Sequence, residues 1–283
     1  MTFSIAVLFS ALTVGTWNGN WFPSGRAEHR APEAVEQAMI EEAGRMIKEG
    51  LAKADPTGKN DLILCFNEFR HDDTAEKLVK AIGRSDLKVA VVSGYRRRDR
   101  FDQQQDVIAT TLPVAESNWS KWKNSKKNTP PRGYAHALIV IEPAVTASVY
   151  SVHLKSNYGA TTAEIAESNR LKRAKAIEQI VGQEKPKRSE KNPHPVIIAG
   201  DFNADRWSAE FAEETIFKTL EDGGYFNSFE LAASDKRATH PGRGKWGDST
   251  LDYVFTRGMK PFGAPVIVPA KDISDHNPVF VNF

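Results

Sequence analysis

The chain has 283 residues, 40% of them hydrophobic and 26% charged, which is enough apolar material for a proper core and excludes wholesale disorder. A formal net charge of +2 permits a polyanionic partner without arguing for one. The single cysteine excludes a disulfide framework and a CxxC-type zinc site, and Cys65, inside the apolar run Leu62–Phe66, reads as a core thiol.

At the N-terminus, Phe3–Ala11 is apolar and ends in small residues, yet no basic residue precedes it and it is too short to span a membrane. Residues 1–11 therefore read equally as the remnant of an export signal or as a leading strand segment, with a secreted or periplasmic location slightly favoured over a cytoplasmic one. Residues 12–283 are expected to form one domain. Strand patterns recur at Leu12–Trp17, Asp61–Phe66, Lys88–Ser93, Val107–Leu112 and Ala135–Ile141. They continue at Ser148–Leu154, Pro195–Ala199, Thr250–Thr256, Ala264–Val268 and Val279–Phe283. Helical periodicity marks Pro32–Lys53, with Val35, Met39, Ala43, Met46, Ile47 and Leu51 on one face, and then Thr74–Ile82, Thr162–Val181 and Trp207–Leu220. Many strands with a few helices between them predict an α/β sandwich, two packed sheets with helices outside. Glu116–Gly133, with Trp119, Trp122 and Pro130-Pro131, is expected to be a loop that meets substrate. Local basic charge gathers at Arg96–Arg100, Lys121–Lys127 and Lys185–Lys191.

Five short polar motifs end or closely follow strand patterns: Thr16-Trp17-Asn18, Asn67-Glu68, Gly200-Asp201-Phe202-Asn203, Leu251-Asp252-Tyr253 and Ser274-Asp275-His276-Asn277-Pro278. Asp201 and Asn203 project two apart after a buried strand, placed to orient a water and hold a phosphate oxygen; an Asx turn is the plain alternative. Glu68 follows so apolar a run that its carboxylate needs a cation, either Mg²⁺ or a basic residue such as Arg70. Asn18 offers a neutral ligand or a turn. Asp252 lies inside an apolar strand and calls for a partner, and His276 is the obvious one, since a carboxylate on one ring nitrogen fixes the tautomer. Asp275 stands beside it near the metal. His153 closes the strand Ser148–Leu154 and reads as a donor to a phosphoryl oxygen or as a structural histidine.

The order of these motifs along the chain resembles the endonuclease/exonuclease/phosphatase superfamily, the deoxyribonuclease I-like enzymes, from Trp17-Asn18 to Asp275-His276. The resemblance implies a four-layer α/β sandwich of two mostly antiparallel sheets flanked by helices. It carries the metal-binding glutamate onto Glu68 and the N-terminal asparagine onto Asn18, with Asp275 near the metal. The catalytic set falls on His153, Asp201, Asn203, Asp252 and His276. Asn20 stands where several nucleases have an acid, and His153-Leu-Lys-Ser156 is closer to the phosphodiesterase and sphingomyelinase branches. Arg98 and Gln105 resemble the segment that approaches substrate. The implied chemistry is Mg²⁺- or Mn²⁺-dependent hydrolysis by in-line water attack. Asp201 acts on the water, Asn203 fixes the phosphate, and His276, held by Asp252, and His153 stabilise developing charge. Nucleic acid is the expected substrate of a monomeric enzyme, with Lys121–Lys127 and Arg96–Arg100 tracking phosphates and Trp119 or Trp122 stacking on a base. A phospholipid or small phosphoester is the alternative; an inactive binding module is disfavoured by the intact set.

Overall fold

Period-two alternation divides the apolar residues of each central strand between two cores. In the strand Asp61–Phe69 (β2), Ile63 and Cys65 join one cluster while Leu62, Leu64 and Phe66 join another. The first cluster lies between two sheets and the second lies under helices. The structure, a computed structural model, describes residues 11–25, 30–71, 73–95, 104–185, 194–242 and 247–283. The possible signal residues 1–10, the basic stretch 96–100 with Arg98, and most of 185–191 fall outside the described residues.

Among the described residues the first sheet has six strands. Besides β2 it contains β1 (Leu12–Phe22), β3 (Lys88–Val92), β4 (Gln105–Thr110), β11 (Val266–Ile267) and β12 (Val279–Asn282), in the order β11-β12-β1-β2-β4-β3. The second holds β5 (Val114–Lys121), β6 (Gly133–Glu142), β7 (Val145–His153), β8 (Val196–Asp201), β9 (Phe226–Asn227) and β10 (Asp252–Arg257), in the order β5-β6-β7-β8-β10-β9. Pairing is antiparallel except at β1–β2 and β7–β8. Helices α1 (Glu33–Ala54) and α2 (Thr74–Ile82) bury Ile40, Ala43, Ile47, Leu78 and Ile82 on the first sheet. Helices α3 (Ala163–Gln183) and α4 (Ile216–Asp222) bury Ile177, Ile180, Ile216 and Leu220 on the second. The four-layer sandwich is therefore observed. Cys65 is fully buried, as read, and burial pushes its thiol up.

Two expectations are corrected. Val114–Lys121 is the edge strand β5, paired antiparallel with β6, so the first part of the expected loop Glu116–Gly133 is sheet. Its segment is polar and largely exposed, so no apolar alternation marks it; pairing with β6 supplies the order. Trp119 packs edge-on against Tyr95 at 5.6 Å and stays 38% exposed. Trp122 is buried against Tyr134 at 5.0 Å and is not available to stack on a base. The helix expected over Trp207–Leu220 breaks into a 3₁₀ turn, Ala209–Phe211, and α4. Asp205 accepts from the Trp207 N–H at 2.9 Å and Ser208 from the Glu210 N–H at 3.3 Å, local bonds that compete with helix. The two-residue strand β9 is too short to leave a pattern.

Gly200 makes the parallel pairing of β7 and β8 feasible at its end. Its φ is +147°, and a Cβ there would lie 1.9 Å from the Val152 carbonyl oxygen. Gly200→Ala is expected to destabilise by about 3 kcal/mol, read as a lowered urea midpoint.

Candidate active site

The strand ends of both sheets meet at one edge. Asn18 (β1) pairs in register with Asn67 (β2), His153 (β7) with Asp201 (β8), and Asp201 with Asp252 (β10). Two of the residues there hold left-handed backbone, Glu68 at φ 61° and Asn203 at φ 51°. Both follow irregularities or turns at the strand ends, and such strain gathers at working sites.

Asp201 is the hub. Its Oδ2 accepts from Asn18 Nδ2 and Asn203 Nδ2, both at 2.8 Å, and its Oδ1 accepts from the Asn203 N–H at 2.8 Å. Asn18 Nδ2 also donates to Glu68 Oε1 at 3.1 Å. His153 Nε2 lies 3.4 Å from Glu68 Oε1 and 3.6 Å from Asp201 Oδ2. On the other side His276 Nε2 is 3.9 Å from Asp201 Oδ2, and its Nδ1 bonds Asp252 Oδ2 at 2.8 Å. Thus five of the eight residues singled out from sequence (Asn18, Glu68, His153, Asn203 and His276) surround a sixth, Asp201, with Asp252 behind His276. Asp275 falls into another cluster, with His240 and His276, its Oδ2 3.9 Å from His240 Nε2.

The electrostatics separate the two histidines. Burial holds His153 neutral, well below the usual imidazole range, and the nearby Arg132, His276 and Lys155 cations add to this. Burial opposes charge on His276 too, but Asp252 and Asp201 outweigh it and raise its pKa to about 10. Burial pushes Asp201 up, opposed by His276.

The donor set fits a hard divalent cation. Glu68 Oε2 and Asp252 Oδ1 are buried without a hydrogen-bond partner, and a carboxylate oxygen in that condition is satisfied by a cation. Glu68, His153 and Asp201 place one ligand atom each within 4.8 Å of one another. Asn18 presents its amide nitrogen to the carboxylates while its Oδ1 accepts from the Asn20 N–H at 2.8 Å, so it orients Glu68 and Asp201 in this arrangement.

Residues to which the sequence analysis gave no role, two of them inside its motifs, support this set. Asn67 accepts from the Asp201 N–H at 3.2 Å and donates to Asp106 at 2.8 Å, tying the hub to β4. Asp106 is fully buried and also accepts from the Tyr95 hydroxyl at 3.1 Å. Ser274 donates to the Asn18 carbonyl at 2.7 Å and accepts from the His276 N–H at 3.0 Å. Thr239 Oγ1 accepts from the Asp252 N–H at 3.0 Å, and the His240 ring meets that of His276 edge-on at 4.9 Å. An acid inside the β4 pattern was the one signal for Asp106; Thr239 and His240 lie in irregular chain and carried none.

Comparison with known proteins agrees with the fold. One neighbour in fold is an endonuclease/exonuclease/phosphatase family protein from Leptotrichia buccalis, with 14% identity and a TM-score of 0.63 over 95% of this chain and 98% of that one. Sphingomyelinase C from Streptomyces griseocarneus superposes with a TM-score of 0.60 and 20% identity over 96% and 99% of the two chains. The 3′ phosphatase NExo from Neisseria, bound to a product DNA hairpin, does so with a TM-score of 0.60 and 14% identity over 96% and 98%. At these identities the likeness is one of fold. Among curated sequences, a UPF0294 protein of Erwinia tasmaniensis is 38% identical over 89 residues, 31% of this chain and 28% of that protein. The match thus spans less than a third of that relative's length. The profile of the Endonuclease/Exonuclease/phosphatase family matches residues 15–276, and the chain belongs to this family, whose members hydrolyse phosphoester bonds.

Proposed function

We propose that the protein is a divalent-metal-dependent phosphodiester hydrolase whose substrate is nucleic acid. The observation that carries the reading is the buried hub around Asp201, with an orphaned Glu68 oxygen on one side and His276, bonded to Asp252 at 2.8 Å, on the other. Asp201, in its ionised form, orients a water and takes its proton, with Asn18 and Asn203 fixing the carboxylate. His276, kept charged by Asp252, donates to a phosphoryl oxygen as negative charge builds there. Neutral His153 hydrogen-bonds the same group, while Asn203 spends its two amide hydrogens on Asp201 and the Leu154 carbonyl. Glu68, with His153 and Asp201 beside it, would hold Mg²⁺ or Mn²⁺, which when bound neutralises phosphoryl charge and stabilises the leaving oxygen. Exposed Lys121, Lys123, Lys126 and Lys127, beside β5, support a polyanionic substrate.

Asp252→Asn keeps the shape but removes the charge that holds His276 protonated. Its kcat is expected to fall by about 10²-fold with the fold intact, checked by steady-state kinetics beside circular dichroism.

The nucleic-acid reading is tested on supercoiled plasmid in Mg²⁺. Relaxation that EDTA abolishes and fresh Mg²⁺ restores supports it. An intact plasmid across Mg²⁺, Mn²⁺ and low salt refutes it and directs the chemistry to phospholipids or small phosphoesters.

A further inference from the structure

The pairing of β2 with β4 carries a bulge at the site. Phe66 pairs with Val107 and Phe69 with Gln105, so Asn67 and Glu68 together stand opposite one residue, Asp106. An extra residue in one strand of a pair bends that strand and re-aims its side chains. Here the bulge brings the Glu68 carboxylate to the hub on left-handed backbone at φ 61°. Such a conformation persists only where its surroundings hold it.

What holds it is a buried polar knot around Asn67. Its Nδ2 donates to Asp106 Oδ1 at 2.8 Å and to Ser151 Oγ at 3.2 Å, and its Oδ1 accepts from the Asp201 N–H at 3.2 Å. The residue before Glu68 is thereby tied to β4, β7 and β8. Asp106 has no exposed surface and a fixed place. Its Oδ2 accepts from the Tyr95 hydroxyl at 3.1 Å, its N–H donates to Ser93 Oγ at 2.8 Å, and the Arg132 cation faces it. Gln105 fixes Tyr95 in turn, accepting from its N–H at 3.1 Å and donating to its carbonyl at 3.0 Å. Among the described residues the Asp106 side chain bonds Asn67 and Tyr95, and none of Glu68, His153 and Asp201.

We propose that Asp106 is a positioning residue: by accepting from Asn67 it fixes the direction in which the bulge presents Glu68, and so sets the affinity for the divalent cation. This rests on the metal-dependent reading of the site and not on which phosphodiester is cleaved.

The test is titration of Mn²⁺ into substrate-free protein, with free Mn²⁺ read from its electron paramagnetic resonance signal, beside urea unfolding of each variant. Asp106→Ala is expected to bind Mn²⁺ about tenfold more weakly than wild type, the scale for losing a group that orients a metal ligand. Asp106→Asn, whose side-chain carbonyl still accepts from Asn67, should restore wild-type affinity. Asn67→Ala breaks the same link and should show the same loss, which keeps the test decisive if Asp106→Ala does not fold. Ile47→Val, in the core under α1, should lower the urea midpoint and leave Mn²⁺ affinity unchanged, so lost stability alone does not produce the effect. Binding that Glu68→Gln weakens but Asp106→Ala and Asn67→Ala do not overturns the positioning role and leaves the metal site standing. A loss in Asp106→Asn equal to that in Asp106→Ala also overturns it, assigning the effect to the charge that faces Arg132. Wild type that binds no Mn²⁺ removes the metal-dependent reading and this proposal with it.

Discussion

Asp201→Ala is expected to lower kcat on any phosphodiester the protein cleaves by about 10²–10⁴-fold, the range for losing one acid or base group. The loss should fall on kcat more than on KM, because the group acts on the attacking water and not on substrate affinity. The carboxylate is also the acceptor for Asn18, the Asn203 side chain and the Asn203 N–H. Removing it strands buried donors, so the variant should also unfold at lower urea by roughly 1–3 kcal/mol. Asn203→Ala separates the two effects: it removes one donor and leaves the base. Kinetics and urea unfolding on both variants provide the check, and an Asp201→Ala enzyme with wild-type kcat would remove this residue from the chemistry.

The largest stability effect is expected at Arg173 on α3. It pairs with Glu214 through Nε at 2.9 Å and Nη2 at 2.7 Å, with both side chains 1% exposed. Glu214 Oε1 has no other partner, and burial raises the Glu214 pKa in spite of the pair. Arg173→Met leaves that carboxylate buried and alone and frees the Lys155 carbonyl, so unfolding free energy should fall by about 3–5 kcal/mol. Adding Glu214→Leu removes the stranded charge and should return much of the loss. Urea denaturation of the two single variants and the double gives the coupling directly. Additive losses would show that the pair is not coupled in the folded protein.

The two sheets and the hub were legible because burial on both faces writes strong apolar runs, and a polar residue at the end of such a run stands out. Glu68 after Leu62–Phe66 and Asp201 after Val196–Ala199 are of this kind. The pairing of Asp252 with His276 followed from an acid inside an apolar strand. Strand β5 was not legible, since an exposed edge strand has no face to bury and its order comes from β6. The break before α4 was hidden because the bonds of Asp205 and Ser208 that cause it compete locally with an otherwise helical pattern. Asp275 was grouped with the metal residues by its neighbour His276, and it stands with His276 and His240 in a second cluster whose ligand atoms lie within 4.8 Å of one another. It faces His240, which no spacing rule connects to it.

The most direct measurement is hydrolysis of bis(p-nitrophenyl) phosphate, a diester with no sequence, sugar or lipid to recognise. Wild type, Asp201→Ala and Glu68→Gln would be followed in Mg²⁺, in EDTA and after Mg²⁺ is restored. Turnover by wild type that stops in EDTA, returns with Mg²⁺ and falls by about 10²-fold or more in both variants is the predicted result. Turnover that persists in EDTA, or that survives in both variants, would contradict a metal-dependent phosphodiesterase centred on Asp201.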